Sequence, residues 1–135
     1  DDLSSEKGID YTKLRDLLKA QQWKEADKET HLRMLQAVGR KDGDWIREEE
    51  LKTFPCADLK TIDRLWVEYS DGHFGFSVQK QIWQECGSPT SSDENWDRFC
   101  VRVGWQTPDA KSYVSYWDFK FDPQKSLKGE LPLWL

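Results

Sequence analysis

Apolar residues recur along this chain at three- and four-residue intervals, the spacing of one face of an α-helix. Asp10 opens the first such run, its carboxylate placed to accept from free backbone N–H groups of a first turn. Tyr11, Leu14, Leu17 and Leu18 then share one face. Gln21 and Gln22 fill a short turn, and a second helix is predicted from about Trp23 to Val38. Its expected buried set is Ala26, Met34, Leu35 and Val38, and Gly39 suits its stop. The pair reads as an antiparallel helical hairpin.

Arg40 to Asp44 is a polar loop, and Trp45 to Leu51 predicts a short helix or turn containing the acidic run Glu48-Glu49-Glu50. Phe54-Pro55-Cys56 breaks it. Asp58 is expected to cap the clearest helix, where Leu59, Ile62, Leu65, Trp66 and Tyr69 form one stripe. After the Ser70-Asp71-Gly72 turn and the compact His73-Phe74-Gly75-Phe76, Ser77 is expected to cap a helix running through Cys86, with Gly87 as its stop. Asp93 caps the next, whose Trp96, Phe99, Cys100 and Val103 follow the same helical spacing until Gly104. From Trp105 the pattern is irregular, and Tyr113, Tyr116, Trp117 and Phe119 are expected to pack back on the helices. Tyr11, Trp66 and Trp96 are assigned to the core.

These elements predict a single all-α domain, a helical bundle of six to eight helices over residues 10–135. Residues 1–9 read as a linker or tail. No alternating strand pattern and no internal repeat is present. No apolar run approaches the ~20 residues that span a bilayer, and no secretory leader pattern opens the chain.

Charge narrows the function. Twenty basic residues against 25 acidic ones give a formal net charge of −5, which argues against nucleic acid as a partner. Cys56, Cys86 and Cys100 lack metal or redox spacing and read as reduced thiols, mostly buried. His31 and His73 lie in no metal-binding spacing, and no nucleophile elbow or phosphate loop is present, so no catalytic residue and no protein-bound metal is expected. What stands out is aromatic content: eight Trp, four Tyr and six Phe in a chain whose mean hydropathy is −0.86. Rings in such number either build a small core or present a flat apolar site.

Four segments carry a resemblance. Residues 10–30 read DYTKLRDLLKAQQWKEADKET, residues 58–66 DLKTIDRLW, residues 75–83 GFSVQKQIW and residues 103–105 VGW. In this order and spacing, over about Tyr11 to Pro132, the chain resembles the genomes-uncoupled-four family of porphyrin-binding proteins. The resemblance implies an all-α domain shaped like a cupped hand, whose concave apolar surface holds protoporphyrin IX or magnesium-protoporphyrin IX. It implies a non-enzymatic regulator of chlorophyll synthesis that acts through the large subunit of magnesium chelatase, or a tetrapyrrole-sensing domain fused to a signalling protein. Arg40 to Leu51, RKDGDWIREEEL, departs from the basic, aromatic segment of chelatase-activating members and looks closer to cyanobacterial signalling-type versions. The expected location is the cytoplasm of a cyanobacterium, or alternatively the chloroplast, and the expected state is a monomer.

On that resemblance, Phe74, Phe76, Val78 and Trp83 would supply the apolar ligand surface. Gly75 between the two phenylalanines would let backbone approach a ligand. Trp45, Ile46 and Leu51 would form one wall and Trp105 the other, with core packing the competing role for both tryptophans. Arg102 and Lys111 would meet the propionates, while Arg98 reads as solvated. Water, ahead of His73, is the expected fifth ligand of a magnesium centre. The competing function is a helical protein–protein interaction module with a vestigial ligand site, favoured by the acidic run beside Trp45.

Overall fold

The computed structural model describes residues 2–133, except for the side chain of Glu48. Among the described residues there are six α-helices, one 3-10 turn and no strand beyond an isolated bridge between Gln106 and Tyr113. The all-α expectation holds. No described helix is long and apolar enough to cross a membrane. The chain divides into two compact units, Asp1–Tyr69 and Ser70–Leu135.

The first unit contains α1 (Thr12–Lys19), α2 (Trp23–Ala37), α3 (Glu48–Lys52) and α4 (Cys56–Tyr69). Helix α1 packs against both α2 and α4. Tyr11, not Asp10, occupies the N-cap position of α1, and Asp10 accepts from the Thr12 amide at 2.9 Å from one residue further out. Leu14 and Leu18 face inward from α1, Ala26 and Leu35 from α2, and Ile62, Leu65 and Trp66 from α4. Each such large side chain contributes about 1.5–3 kcal/mol on burial. Trp66 donates its indole N–H to Thr30 Oγ1 at 2.9 Å and lies 6.2 Å from the ring of Trp23. Met34 and Val38 are only half-buried, and Leu59 is exposed. The α4 stripe is instead Asp58, Thr61, Ile62, Leu65 and Trp66.

Two expectations change here. Asp58 is not an N-cap, because α4 begins at Cys56 and the aspartate is buried in its first turn. Its carboxylate accepts from Ser5 Oγ, the Glu6 amide and the Tyr11 hydroxyl. For the same reason residues 4–9 are not a tail. Thr61 donates to the Ser4 carbonyl at 2.6 Å, the Ala57 amide to Glu6 Oε1 at 3.1 Å, and Ile9 is buried.

The second unit contains α5 (Phe76–Glu85), α6 (Glu94–Arg102) and the 3-10 turn Tyr116–Asp118. Gly75, not Ser77, precedes the first turn of α5. Its φ of +132° is open only to glycine, which sets the start of the helix. Asp93 caps α6 as expected, accepting from the Trp96 amide at 2.9 Å. Helices α5 and α6 pack through Ile82, Cys86, Phe99, Cys100 and Val103, and Trp105 completes that core. Trp96 is only half-buried and lies against this cluster from outside.

A C-terminal segment closes over the same core. Gln79, fully buried, donates to the carbonyls of Gly129 and Pro132 at 3.0 and 2.7 Å. The Gly129 amide donates to the His73 carbonyl at 2.8 Å, and the Gly75 amide to the Leu131 carbonyl at 3.0 Å. Gly129 sits at φ +83°, and a β-carbon there would stand 2.9 Å from Ile82 Cδ1. Backbone and side chain thus meet with no room for more than hydrogen.

Candidate functional site

After α6 the chain runs through Gly104 and the buried Trp105 into a surface loop. The Val114 amide donates to the Trp105 carbonyl and the Thr107 amide to the Ser112 carbonyl, both at 2.9 Å. Asp109 tightens the tip by accepting from Thr107 Oγ1 and from the Lys111 amide. The loop thereby holds Lys111 out in solvent, and its ammonium forms no ion pair among the described residues.

Among the described residues of the second unit, this loop carries the most exposed aromatic rings. Trp117 is 80% exposed, Tyr113 51% and Tyr116 40%. Tyr116 meets Trp117 edge-on at 5.6 Å and Phe121 at 5.5 Å, and Phe121 meets Phe119 at 6.2 Å, so these four rings order one another. Trp96 donates its indole N–H to Tyr113 Oη at 3.0 Å, tying the loop to α6. Tyr113 thus reaches back to α6 through its hydroxyl while half of it stays exposed, whereas Tyr116 and Trp117 stay on the surface. The space beneath is already filled by Phe99, Cys100, Val103 and Trp105, and Phe119 with Leu133 covers its edge. The sequence signal for this surface was the density of rings in SYVSYWDFKF without helical spacing. A segment with no buried stripe runs over the surface.

The residues of the second unit expected at a ligand divide into three groups. Phe74 and Trp105 have no exposed area. Trp105 stacks edge-on to Phe99 at 5.6 Å and donates its N–H to the Glu130 carbonyl at 2.8 Å, while the Phe74 amide donates to Ser70 Oγ at 2.9 Å. Both are core, because polar and aromatic neighbours enclose them completely. Phe76, Val78 and Trp83 are half-buried on α5, with the Trp83 N–H donating to the Pro89 carbonyl at 2.9 Å. Arg102 and Lys111 are exposed, but Arg102 is already paired with Glu85 at 2.8 Å.

In the first unit, Trp45 is 61% exposed, Leu51 is exposed and Ile46 is half-buried. The Arg47 guanidinium lies 4.0 Å over the Trp45 ring. It also pairs with Asp44 at 2.7 Å, and Arg40 bridges Asp44 and Glu50 at 3.3 and 2.9 Å. The hydrogen bond from Arg47 leads several contacts that hold the Asp44 carboxyl down at about 2. This network orders the loop that presents the indole.

Reactive groups are few. Among the described residues no group of three or more His, Cys, Asp or Glu is disposed to hold a metal. All three cysteines are free, with Cys86 and Cys100 buried and Cys56 exposed. Burial first, then the nearby Asp97, pushes the Cys100 thiol up to about 12 against an opposing hydrogen bond from Tyr113. It stays protonated at neutral pH and is a poor nucleophile.

The sequence profile of the family described as GUN4-like matches residues 4–135. The chain belongs to the GUN4-like family. Solved GUN4 structures share its fold. That of Chlamydomonas reinhardtii superposes with a TM-score of 0.82 at 31% identity, covering 98% of this chain and 86% of that one. Ligand-free GUN4 of Arabidopsis thaliana gives 0.76 at 31% identity, covering 96% and 85%. Among curated relatives, an uncharacterized ycf53 protein of Porphyra purpurea is 37% identical over 136 residues, covering 97% of this chain and 52% of that protein. A protein of Arabidopsis thaliana named as a chloroplastic tetrapyrrole-binding protein is 34% identical over 119 residues, covering 84% and 42%. The chain spans about half the length of the curated relatives it matches.

Proposed function

We propose that this GUN4-like chain binds a dicarboxylate porphyrin, protoporphyrin IX or its magnesium complex, and catalyses no reaction on it. The observation that carries the reading is the exposed aromatic surface of Tyr113, Tyr116 and Trp117, with Lys111, which forms no ion pair among the described residues, on the same loop. A porphyrin is a flat apolar disc with two carboxylates on one edge, and it needs flat rings beside a cation. Phe76, Val78 and Trp83 support the same chemistry from α5, and Arg102 is a second cation once it leaves Glu85. In the first unit Trp45, Ile46 and Leu51 offer an apolar face of their own. The Arabidopsis relative's name supports the ligand class.

Covering roughly 400 Å² of apolar surface at ~25 cal/mol per Å² gives about 10 kcal/mol gross. Association removes at least ~4 kcal/mol, which leaves binding in the range of tens of micromolar, tighter with paired propionates. That strength suits a carrier or sensor. The output we assign is regulation of tetrapyrrole synthesis through the large subunit of magnesium chelatase, or signalling from a fused domain. The setting is a cyanobacterial cytoplasm or a chloroplast.

The test is a titration with protoporphyrin IX and with magnesium-protoporphyrin IX, followed by tryptophan fluorescence. Saturable quenching is expected. An absence of saturable quenching would leave the competing reading, a protein-docking module. The ion-paired loop that presents Trp45 favours that alternative.

A further inference from the structure

A shallow cleft of about 270 Å³ opens in the second unit beside α6, with Gly104, Gln106, Asp118, Lys120, Leu127 and Glu130 in its lining. Gln106 and Glu130 are each 6% exposed. The Gln106 amide is oriented by its Nε2, which donates to Asp97 Oδ1 at 3.0 Å, so its Oε1 is the other end. Neither Gln106 Oε1 nor Glu130 Oε1 receives a hydrogen bond among the described residues. Buried acceptors left without a donor are rare and costly. Room for the carboxylate comes from Gly104, where a β-carbon would stand 2.6 Å from Glu130 Oε2.

We infer that this cleft receives the guanidinium of an arginine side chain from a partner polypeptide, its N–H groups donating to Gln106 Oε1 and to the Glu130 carboxylate. The charge of the lining agrees: two acids, Asp118 and Glu130, face one base, Lys120. Two separate acceptors suit a planar fork of five donors better than a single-point ammonium. Leu127, at the rim, offers aliphatic surface to the stem of such a side chain. Burial pushes the Glu130 carboxyl above its ordinary range, against hydrogen bonds from Ser126 and the Leu127 backbone, and an arriving cation would oppose that shift. The cleft borders the loop that carries the exposed rings, through Val114, Asp118 and Phe119, but the acceptors assigned to the guanidinium are Gln106 and Glu130, which belong to no part of the ring surface.

The test uses isotope-labelled protein and two probes, Nα-acetyl-arginine methylamide and its neutral citrulline counterpart. With the arginine probe, saturable shifts are expected at the amides of Gly104, Gln106 and Glu130 and at the Gln106 side-chain NH2. The citrulline probe should bind at least fivefold more weakly, and Glu130→Gln should weaken the arginine probe at least fivefold. Gln106→Met gives the same reading if Glu130→Gln does not fold. Equal responses to the two probes, unchanged binding in the variant, or no saturation would each overturn the assignment. A porphyrin titration on the same samples separates failure here from failure of tetrapyrrole binding.

Discussion

The phenol of Tyr11 donates to the carboxylate of Asp58 at 2.7 Å, and neither side chain is exposed to solvent. The bond joins the start of α1 to the first turn of α4. Burial alone would raise the Asp58 pKa, but the bonds from Ser5, Tyr11 and the Glu6 amide outweigh it and hold the carboxyl below its ordinary range. The ionised form is therefore the one the fold prefers.

Removing that carboxylate has a definite pH signature. Asp58→Asn should cost about 1.5–3 kcal/mol at neutral pH, the size of a buried bond to a charged group. Because the folded pKa is lowered, the contribution is complete above the unfolded value of about 3.9 and is lost as pH falls through the folded value. Urea denaturation at a series of pH values should show the two proteins converging toward acid. A gap that stays constant down to pH 2 would contradict this origin.

Gly129 and Gly43 separate crowding from backbone strain. Both have positive φ, +83° and +89°, but only Gly129 would bring a β-carbon against Ile82 and Val103. Gly43→Ala should cost about 1–2 kcal/mol, the left-handed penalty alone. Gly129→Ala should add overpacking of about 1–3 kcal/mol to that. Thermal unfolding of the two variants reads the difference, and equal losses would mean the core gives way freely.

Local signals were legible and distant ones were not. Asp93 was readable as a cap because its partner, the Trp96 amide, lies three residues away. Asp58 looks the same in sequence, yet its partners lie 47 to 53 residues off, and no local pattern records them. Ser77 resembled a cap more than Gly75 did, since a glycine's φ leaves no side-chain trace. The stripe of α6 was readable up to Val103. Trp105, beyond the last periodic position, carried no cue to its burial. The rings at Tyr116 and Trp117 were expected to pack back on the helices because large aromatics usually do, but Phe99 and Trp105 already fill the core there.

Two tryptophans should therefore behave in opposite ways. Trp117→Ala should leave stability within about 0.5 kcal/mol of the parent, as exposed substitutions do. It should weaken porphyrin binding about tenfold, equivalent to about 1.4 kcal/mol. Trp105→Ala should cost about 3–5 kcal/mol of stability, the price of a core cavity. Paired unfolding and fluorescence titrations check both. Intact porphyrin affinity in Trp117→Ala would remove that ring from the proposed surface.

The pair between Arg102 and Glu85 competes with any propionate for the same guanidinium. Glu85→Gln should release Arg102 and strengthen binding of a dicarboxylate porphyrin two- to threefold, about what an exposed ion pair is worth. Arg102→Ala with Lys111→Ala should weaken it. The dimethyl ester should respond to neither change, and added salt should narrow the differences. Equal responses of acid and ester would show that these side chains act through packing.

The bonds from Gln79 to Gly129 and Pro132 span 50 and 53 residues, and those at Asp58 span 47 to 53. During synthesis on the ribosome, the first unit can fasten its Tyr11–Asp58 tie as soon as α4 emerges. The second unit cannot satisfy its buried glutamine until Gly129 has cleared the exit tunnel. Until then the amide of Gln79 and the apolar face of α5 stay open to chaperones, so a nascent chain stalled with Gly129 still inside the tunnel should be captured more strongly than one stalled after Gly129 has emerged.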